Sequence, residues 1–217
     1  MTGRITPQRS AASYIPPHPT RKSLRDAINA CRGCDLYRRA TQGVPGEGPA
    51  RARLMLVGEQ PGNDEDLAGR PFVGPAGQLL DRALAAAGIE RADAYVTNVV
   101  KHFKWTPKGK RRIHEKPNAR EVEACRPWFQ TELGLVNPEV VVALGATAAQ
   151  AILGPAFRIS RERGRFVASS LDAKVLATAH PSAVLRISDE PARREAMAQL
   201  IADLRVVARA LKAKTPD

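Results

Sequence analysis

The feature that most limits what this chain can fold into is a set of short, unbroken apolar runs, each stopping at a glycine or a polar residue. Residues 53–58 read Arg-Leu-Met-Leu-Val-Gly, residues 94–100 carry Tyr-Val-Thr-Asn-Val-Val, and residues 138–144 end in Val-Val-Val-Ala-Leu before Gly145. Runs without polar alternation are predicted as strands buried on both faces, the condition of a parallel sheet. Between them the period changes to that of a helix. Residues 75–88 place Leu79, Leu80, Ala83, Leu84 and Ala87 on one face and stop at Gly88. Residues 118–135 begin with a capping Asn118, and 146–153 give a third helix. Residues 166–168 and 174–178 read as further strands, 190–211 as a long amphipathic helix, and a short helix is expected from Ser23 to Cys31. The predicted fold class is α/β, a three-layer α/β/α sandwich with a mainly parallel central sheet.

In such sheets ligands sit beyond the carboxyl ends of the strands. Three polar motifs fall there: Gly58-Glu59-Gln60-Pro61-Gly62 after the first strand, Asn98 at the end of the second, and His180-Pro181-Ser182 after the last. A fourth stretch runs from Thr97-Asn98-Val99-Val100-Lys101-His102 through a basic loop to Lys110-Arg111-Arg112-Ile113-His114. It is poor material for a core. Asp64, Glu65 and Asp66 read as a solvated acidic turn.

With 217 residues, one domain is expected. Breakers at Ser10, Ser13, Pro16, Pro17 and Pro19 make residues 1–22 a disordered or extended tail, leaving 23–214 as the domain. A net charge of +12 implies a polyanionic partner, nucleic acid ahead of anionic lipid, against the bland reading of a merely soluble basic protein. No apolar run approaches the roughly 20 residues that span a bilayer, and no signal-peptide core opens the chain, so an intracellular protein without a membrane partner is expected. Of three cysteines, Cys31 and Cys34 form a CxxC around Gly33. That argues for a metal or cluster, the redox CxxC being the competing reading without the preceding strand it requires.

These motifs, in this order and spacing, resemble the uracil-DNA glycosylase superfamily, specifically its iron-sulfur members. The likeness rests on Gly58-Glu59-Gln60-Pro61-Gly62, Gly69-Arg70-Pro71-Phe72-Val73-Gly74, Thr97-Asn98-Val99-Val100-Lys101 and His180-Pro181-Ser182. Gln60, in place of the common Ala, and the inserted loop at Lys110-Arg111-Arg112-Ile113-His114 resemble the UdgX branch, whose members form a covalent adduct with uracil-containing DNA. The resemblance implies an enzyme that flips the base out of the stack into a fitted pocket, and it implies a role for each matching residue. Phe72 would stack on uracil, Asn98 would read its edge, and Gly58 and Glu65 would line its site. His180, whose bland reading is a cap before Pro181, would stabilise charge on the departing base. His114 would attack the sugar carbon, kept uncharged by Lys110, Arg111, Arg112 and Lys116, with Glu59 and Gln60 assisting.

By the same resemblance, Lys110, Arg111, Arg112, Ser182 and Arg186 would meet DNA, single- or double-stranded, as would Arg158, Arg161, Arg163 and Arg165, while Leu185 would wedge into the gap. A 4Fe-4S cluster would be held by Cys31, Cys34, His102 and Cys125, with zinc on the same set as runner-up. A monomer is expected, as are two rivals to covalent capture: ordinary turnover with water as nucleophile, and a non-catalytic iron-sulfur module that binds uracil-containing DNA.

Overall fold

The computed structural model describes residues 9–213. Its elements in chain order are α1 (Arg21–Ala30), β1 (Leu54–Gly58), α2 (Asn63–Ala68), α3 (Pro75–Ala87), β2 (Ala94–Asn98), β3 (Trp105–Lys108), β4 (Arg111–His114) and α4 (Ala119–Val136). These are followed by β5 (Val140–Leu144), α5 (Ala146–Leu153), α6 (Ile159–Glu162), β6 (Phe166–Val167), β7 (Lys174–Thr178), α7 (Pro181–Leu185) and α8 (Glu190–Lys212). The main sheet has the order β2-β1-β5-β7-β6, with β6 antiparallel at the edge and every other pairing parallel. The expected α/β class and mainly parallel sheet are therefore what the chain adopts.

Alternate strand residues feed two cores, as the two-residue period of a strand requires. Met55, Val57, Val141 and Ala143 face α1, α4 and α5, packing with Ile28 and Trp128. Leu54, Leu56, Val140 and Val142 face α3 and α8, packing with Leu80, Leu84, Leu200 and Leu204. α3 starts on Pro75 and ends on Gly88, whose φ of +77° suits the left-handed cap. Among the described residues, no helix is long and apolar enough to cross a membrane.

Four local expectations change. β2 ends at Asn98 and not at residue 100, because Val99 and Val100 donate instead to the carbonyls of Gly58 and Glu59 as the chain turns over β1. The basic loop is a hairpin of β3 and β4, reversed at Gly109 with φ +58°. Asp64, Glu65 and Asp66 form the first turns of α2, and Asp66 is fully buried rather than solvated. Residues 9–22 are not an extended tail: Ala11–Tyr14 makes a 3-10 turn with Ala11 buried, and Thr20 caps α1 reciprocally with Ser23. This turn crosses the cysteine loop so closely that a Cβ at Gly33 would lie 2.7 Å from the Ala11 nitrogen. Residues 1–8 of the expected tail, and residue 214 of the expected domain, lie outside the described residues.

Candidate active site

The carboxyl ends of the parallel strands surround a cavity of about 730 Å³, lined by Glu59, Gln60, Phe72, Asn98, His114 and His180 among others. Register brings the floor together, since Gly58 of β1 is paired with Asn98 of β2. A Cβ at Gly58 would stand 2.4 Å from Asn98 Oδ1 and 2.6 Å from Phe72 Cζ, so a side chain there would occupy the space these two groups use. Phe72 has φ +54°, a strained backbone for a bulky residue and one that costs roughly 1–3 kcal/mol. Gly77 makes it possible: a Cβ there would collide with the Phe72 carbonyl at 1.8 Å. Asn98 is 2 % exposed and its Oδ1 is buried without a hydrogen-bond partner. Buried acceptors are nearly always satisfied, so this atom faces the cavity as an acceptor awaiting a donor.

His180 stands opposite, its ring 5.9 Å from that of Phe72. The Ser182 N–H donates to its Nδ1 at 3.1 Å, which fulfils the capping role on α7 as well. A backbone N–H can only donate, so the proton of the neutral ring belongs on Nε2. Burial, then the charges of Arg186 and His114, push the imidazole down to about 4. Near neutral pH it is therefore an uncharged donor through Nε2.

Glu59, Gln60 and His114 form the rim. Thr147 donates its hydroxyl to Glu59 Oε2, and Glu59 Oε1 lies 3.4 Å from His114 Nε2. Gln60 is fixed by three backbone groups, accepting from Lys104 N–H and donating to the carbonyls of Lys104 and Glu115. Its Nε2 is 3.0 Å from His114 Nε2. Both protons of that amide nitrogen are already given to the carbonyls of Lys104 and Glu115, so Gln60 packs against the ring without fixing which ring nitrogen carries the proton, whereas the Glu59 carboxylate can accept one. The charged group in contact with His114 is thus the Glu59 carboxylate, not one of the four cations expected around it.

Arg112, expected at a phosphate, is held in this structure by contacts within the chain. Its guanidinium donates to Asp66 at 2.6 Å and Asn63 at 2.8 Å, beneath the rings of Phe103 and Trp105, and so ties the hairpin to α2. Lys110 and Arg111 at the hairpin tip are exposed, as are Arg161, Arg165, Arg186 and Leu185, while Lys116 lines the cavity. Arg163 is paired with Asp203 at 2.9 Å, and Arg158, exposed, donates through Nη1 to the carbonyls of Pro155 and Phe157. Glu65 lines the cavity, yet both its oxygens accept backbone N–H groups, from Gly62 at 2.9 Å and Gly74 at 2.8 Å. Its carboxylate braces the loop that carries Phe72.

The three cysteines are free and meet between α1 and α4. Gly33 N–H and Trp128 Nε1 each donate to Cys31 Sγ at 3.4 Å, and Lys101 N–H donates to Cys125 Sγ at 3.3 Å. Burial pushes the Cys125 thiol up to about 12, and the neighbouring sulfurs Cys34 and Cys31 add to the effect. Burial likewise raises Cys34. Sulfurs that repel one another's charge while accepting N–H bonds are a donor set whose three thiolates an iron cluster would compensate. His102 is 4 % exposed, and burial followed by the charge of Arg32 lowers its imidazole to about 4, leaving it neutral as a ligand must be. Among the described residues no three His, Cys, Asp or Glu side chains are gathered around one ion position. A cluster, whose ligands sit on separate irons, does not demand that.

One constellation was not foreseen. Lys101 and Glu132 are a fully buried ion pair at 2.6 Å behind Asn98. The available signal was Glu132 itself, a charge on the same α4 stripe as Cys125, Trp128, Phe129 and Val136.

Residues 45–205 match the family model described as Uracil DNA glycosylase superfamily. Similar curated proteins include a Type-4 uracil-DNA glycosylase of Archaeoglobus fulgidus, 42 % identical over 76 % of this chain and 84 % of the relative. Another of that name from Thermotoga maritima is 38 % identical over 79 % of this chain and 86 % of its own. A Type-5 uracil-DNA glycosylase of Thermus thermophilus is 32 % identical over 61 % of this chain and 72 % of its own.

Proposed function

This chain belongs to the uracil-DNA glycosylase superfamily, and on that premise we propose that it recognises uracil in DNA, cleaves the N-glycosidic bond, and is captured on C1′ of the deoxyribose by His114 in a single turnover. The observation that carries the recognition step is the orphaned Asn98 Oδ1, buried beside the Phe72 ring. It would accept from N3–H of uracil while the same amide donates to O4; cytosine presents the opposite pattern. Phe72 would supply the stacking face and His180 Nε2–H a donor to O2.

As the bond from C1′ to N1 breaks, its electron pair leaves with the base, and His180 stabilises the uracil anion as a neutral donor. The sugar becomes positively charged, and Glu59 is the carboxylate positioned to stabilise it. With its ring proton on Nδ1, His114 presents the lone pair of Nε2, which forms the new bond to C1′. The resulting imidazolium has no easy leaving path, and the adduct persists. A second reading, ordinary turnover with water as nucleophile, is favoured by the glycosylase names of the relatives and by Glu59, which would orient that water.

Cys31, Cys34, Cys125 and His102 would hold a 4Fe-4S cluster that pins the chain between β2 and the hairpin, with zinc on the same residues as the alternative. About four irons per chain and broad absorbance near 400 nm are expected; one zinc and no colour would reject the cluster. Contacts from Lys110, Arg111, Ser182 and Arg186 to phosphates, and a wedge at Leu185, complete the reading of an intracellular protein acting as a monomer on single- or double-stranded DNA.

The deciding experiment mixes the protein with an excess of uracil-containing oligonucleotide. Free uracil should stop at one equivalent and a denaturation-resistant complex should form, which His114→Ala abolishes. Release beyond one equivalent supports the water mechanism, no release with reversible binding supports a non-catalytic module, and a resistant complex with His114→Ala removes that residue from the role.

A further inference from the structure

Behind the cavity floor lies a polar network that the reaction above does not use. Lys101 is 0 % exposed, and each of its three ammonium protons has an acceptor: Thr97 Oγ1 at 2.6 Å, Glu132 Oε2 at 2.6 Å and the main-chain carbonyl of Asn98 at 2.8 Å. Glu132 accepts in addition from Thr97 Oγ1 at 2.6 Å and from Gly46 N–H at 2.8 Å. Lys101 lies three residues beyond β2 and Glu132 in the C-terminal half of α4, so the pair links the segment that follows Asn98 to the helix that carries Cys125. The backbone N–H of Lys101 donates to the Cys125 sulfur, so one residue touches both places.

Asn98 needs such an anchor. It is the last residue of β2, and its Oδ1 has no protein partner to orient it. Its amide is aimed by its backbone and by the close packing over Gly58. A buried charge pair is a poor choice for stability alone, since well-packed apolar residues often do as well, and a role in fixing one geometry is the better reason to keep it. We propose that Lys101, neutralised by Glu132, is a positioning residue that sets the height and direction of the Asn98 amide in the cavity. This rests on the assignment of Asn98 as the group that reads the base. A misplacement of about 1 Å at a reacting centre costs roughly 10²-fold in rate.

The test pairs Lys101→Met with Glu132→Gln, removing both charges while leaving an acceptor for Gly46 and a partner for Thr97. The full-length holoprotein should melt within a few degrees of the parent and bind a thymine-containing oligonucleotide equally well, yet release uracil about 10²-fold more slowly in a single turnover. Adding Asn98→Ala to this double variant should slow release no further, because two residues acting through one interaction are not additive. A double variant that releases uracil at the parental rate overturns the proposal, as does a full additional loss from Asn98→Ala on that background. If Asn98→Ala in the parent leaves release unchanged, the base-reading assignment falls and the proposal with it. Should the double variant fail to fold, Glu132→Asp keeps both charges and withdraws the acceptor by one methylene. Slower release with unchanged melting then supports positioning, and a parental rate refutes it.

Discussion

Gly58→Ala is the smallest change that tests whether the cavity floor is a fitted surface. The added methyl would begin 2.4 Å from Asn98 Oδ1 and 2.6 Å from Phe72 Cζ, where ordinary contacts need about 3.5 Å. Something must retreat by about 1 Å. Phe72 is the harder of the two to move, because its left-handed backbone is packed against Gly77. The displacement therefore falls mainly on the Asn98 amide. Overpacking of this kind costs about 1–3 kcal/mol, or a melting temperature lower by roughly 2–10 °C for a chain of this size. The loss in uracil release should be disproportionate, about 10²-fold, since the group that moves is the one proposed to read the base. Single-turnover release at saturating enzyme measures the rate, and thermal unfolding measures the stability on the same preparation. An alanine variant that melts lower but releases uracil within threefold of the parent would show that the close packing at Gly58 matters to folding and not to recognition.

Charges in and around the site give two more tests. Arg112→Met should destabilise the protein by about 3–5 kcal/mol, because it leaves the fully buried Asp66 carboxylate unpaired. A phosphate-contacting arginine would instead leave the melting temperature unchanged and reduce the salt dependence of DNA binding, so the two measurements together decide its role. For His180, the folded imidazole near 4 lies below the ordinary 6.5. As pH falls through 6.5 the unfolded chain takes up a proton that the folded chain refuses. Stability present above pH 6.5 is thus lost progressively toward pH 4, by at most about 3 kcal/mol from this group. Denaturant midpoints at pH 7 and pH 4.5 should converge in His180→Asn relative to the parent, and an equal drop in both proteins would contradict the buried neutral ring.

What the sequence disclosed came from burial on both faces of a strand. Unbroken runs such as Val140 to Leu144 have one structural use, and their ends located the cavity before any contact was known. Asn98, His180 and Gly58 were legible because polar or glycine residues stand where those runs stop. The hairpin was not, because β3 and β4 are exposed almost throughout and carry no alternating apolar face. The burial of Asp66 and its pairing with Arg112 were not legible for a related reason: each looks solvated in its own segment, and only the approach of the hairpin to α2 brings them together. Lys101 and Glu132 are 31 residues apart, and nothing local to either announces the other. The N-terminal turn looked like a tail since its burial depends on a groove beside α4 that distant residues build.

That sulfur groove also sets a schedule for biosynthesis. Cys31 and Cys34 leave the ribosome well ahead of Cys125, by about 5–20 s at ordinary elongation rates. During that interval the nascent chain holds two thirds of the thiols, and β1 and β2 have been made without the helix that completes the sulfur site. Whatever the sulfurs bind can be closed in only after α4 has emerged. Ser10 and Ala11, which lie against Gly33, precede the cysteines in the chain, and the site they abut is complete only once α4 is in place.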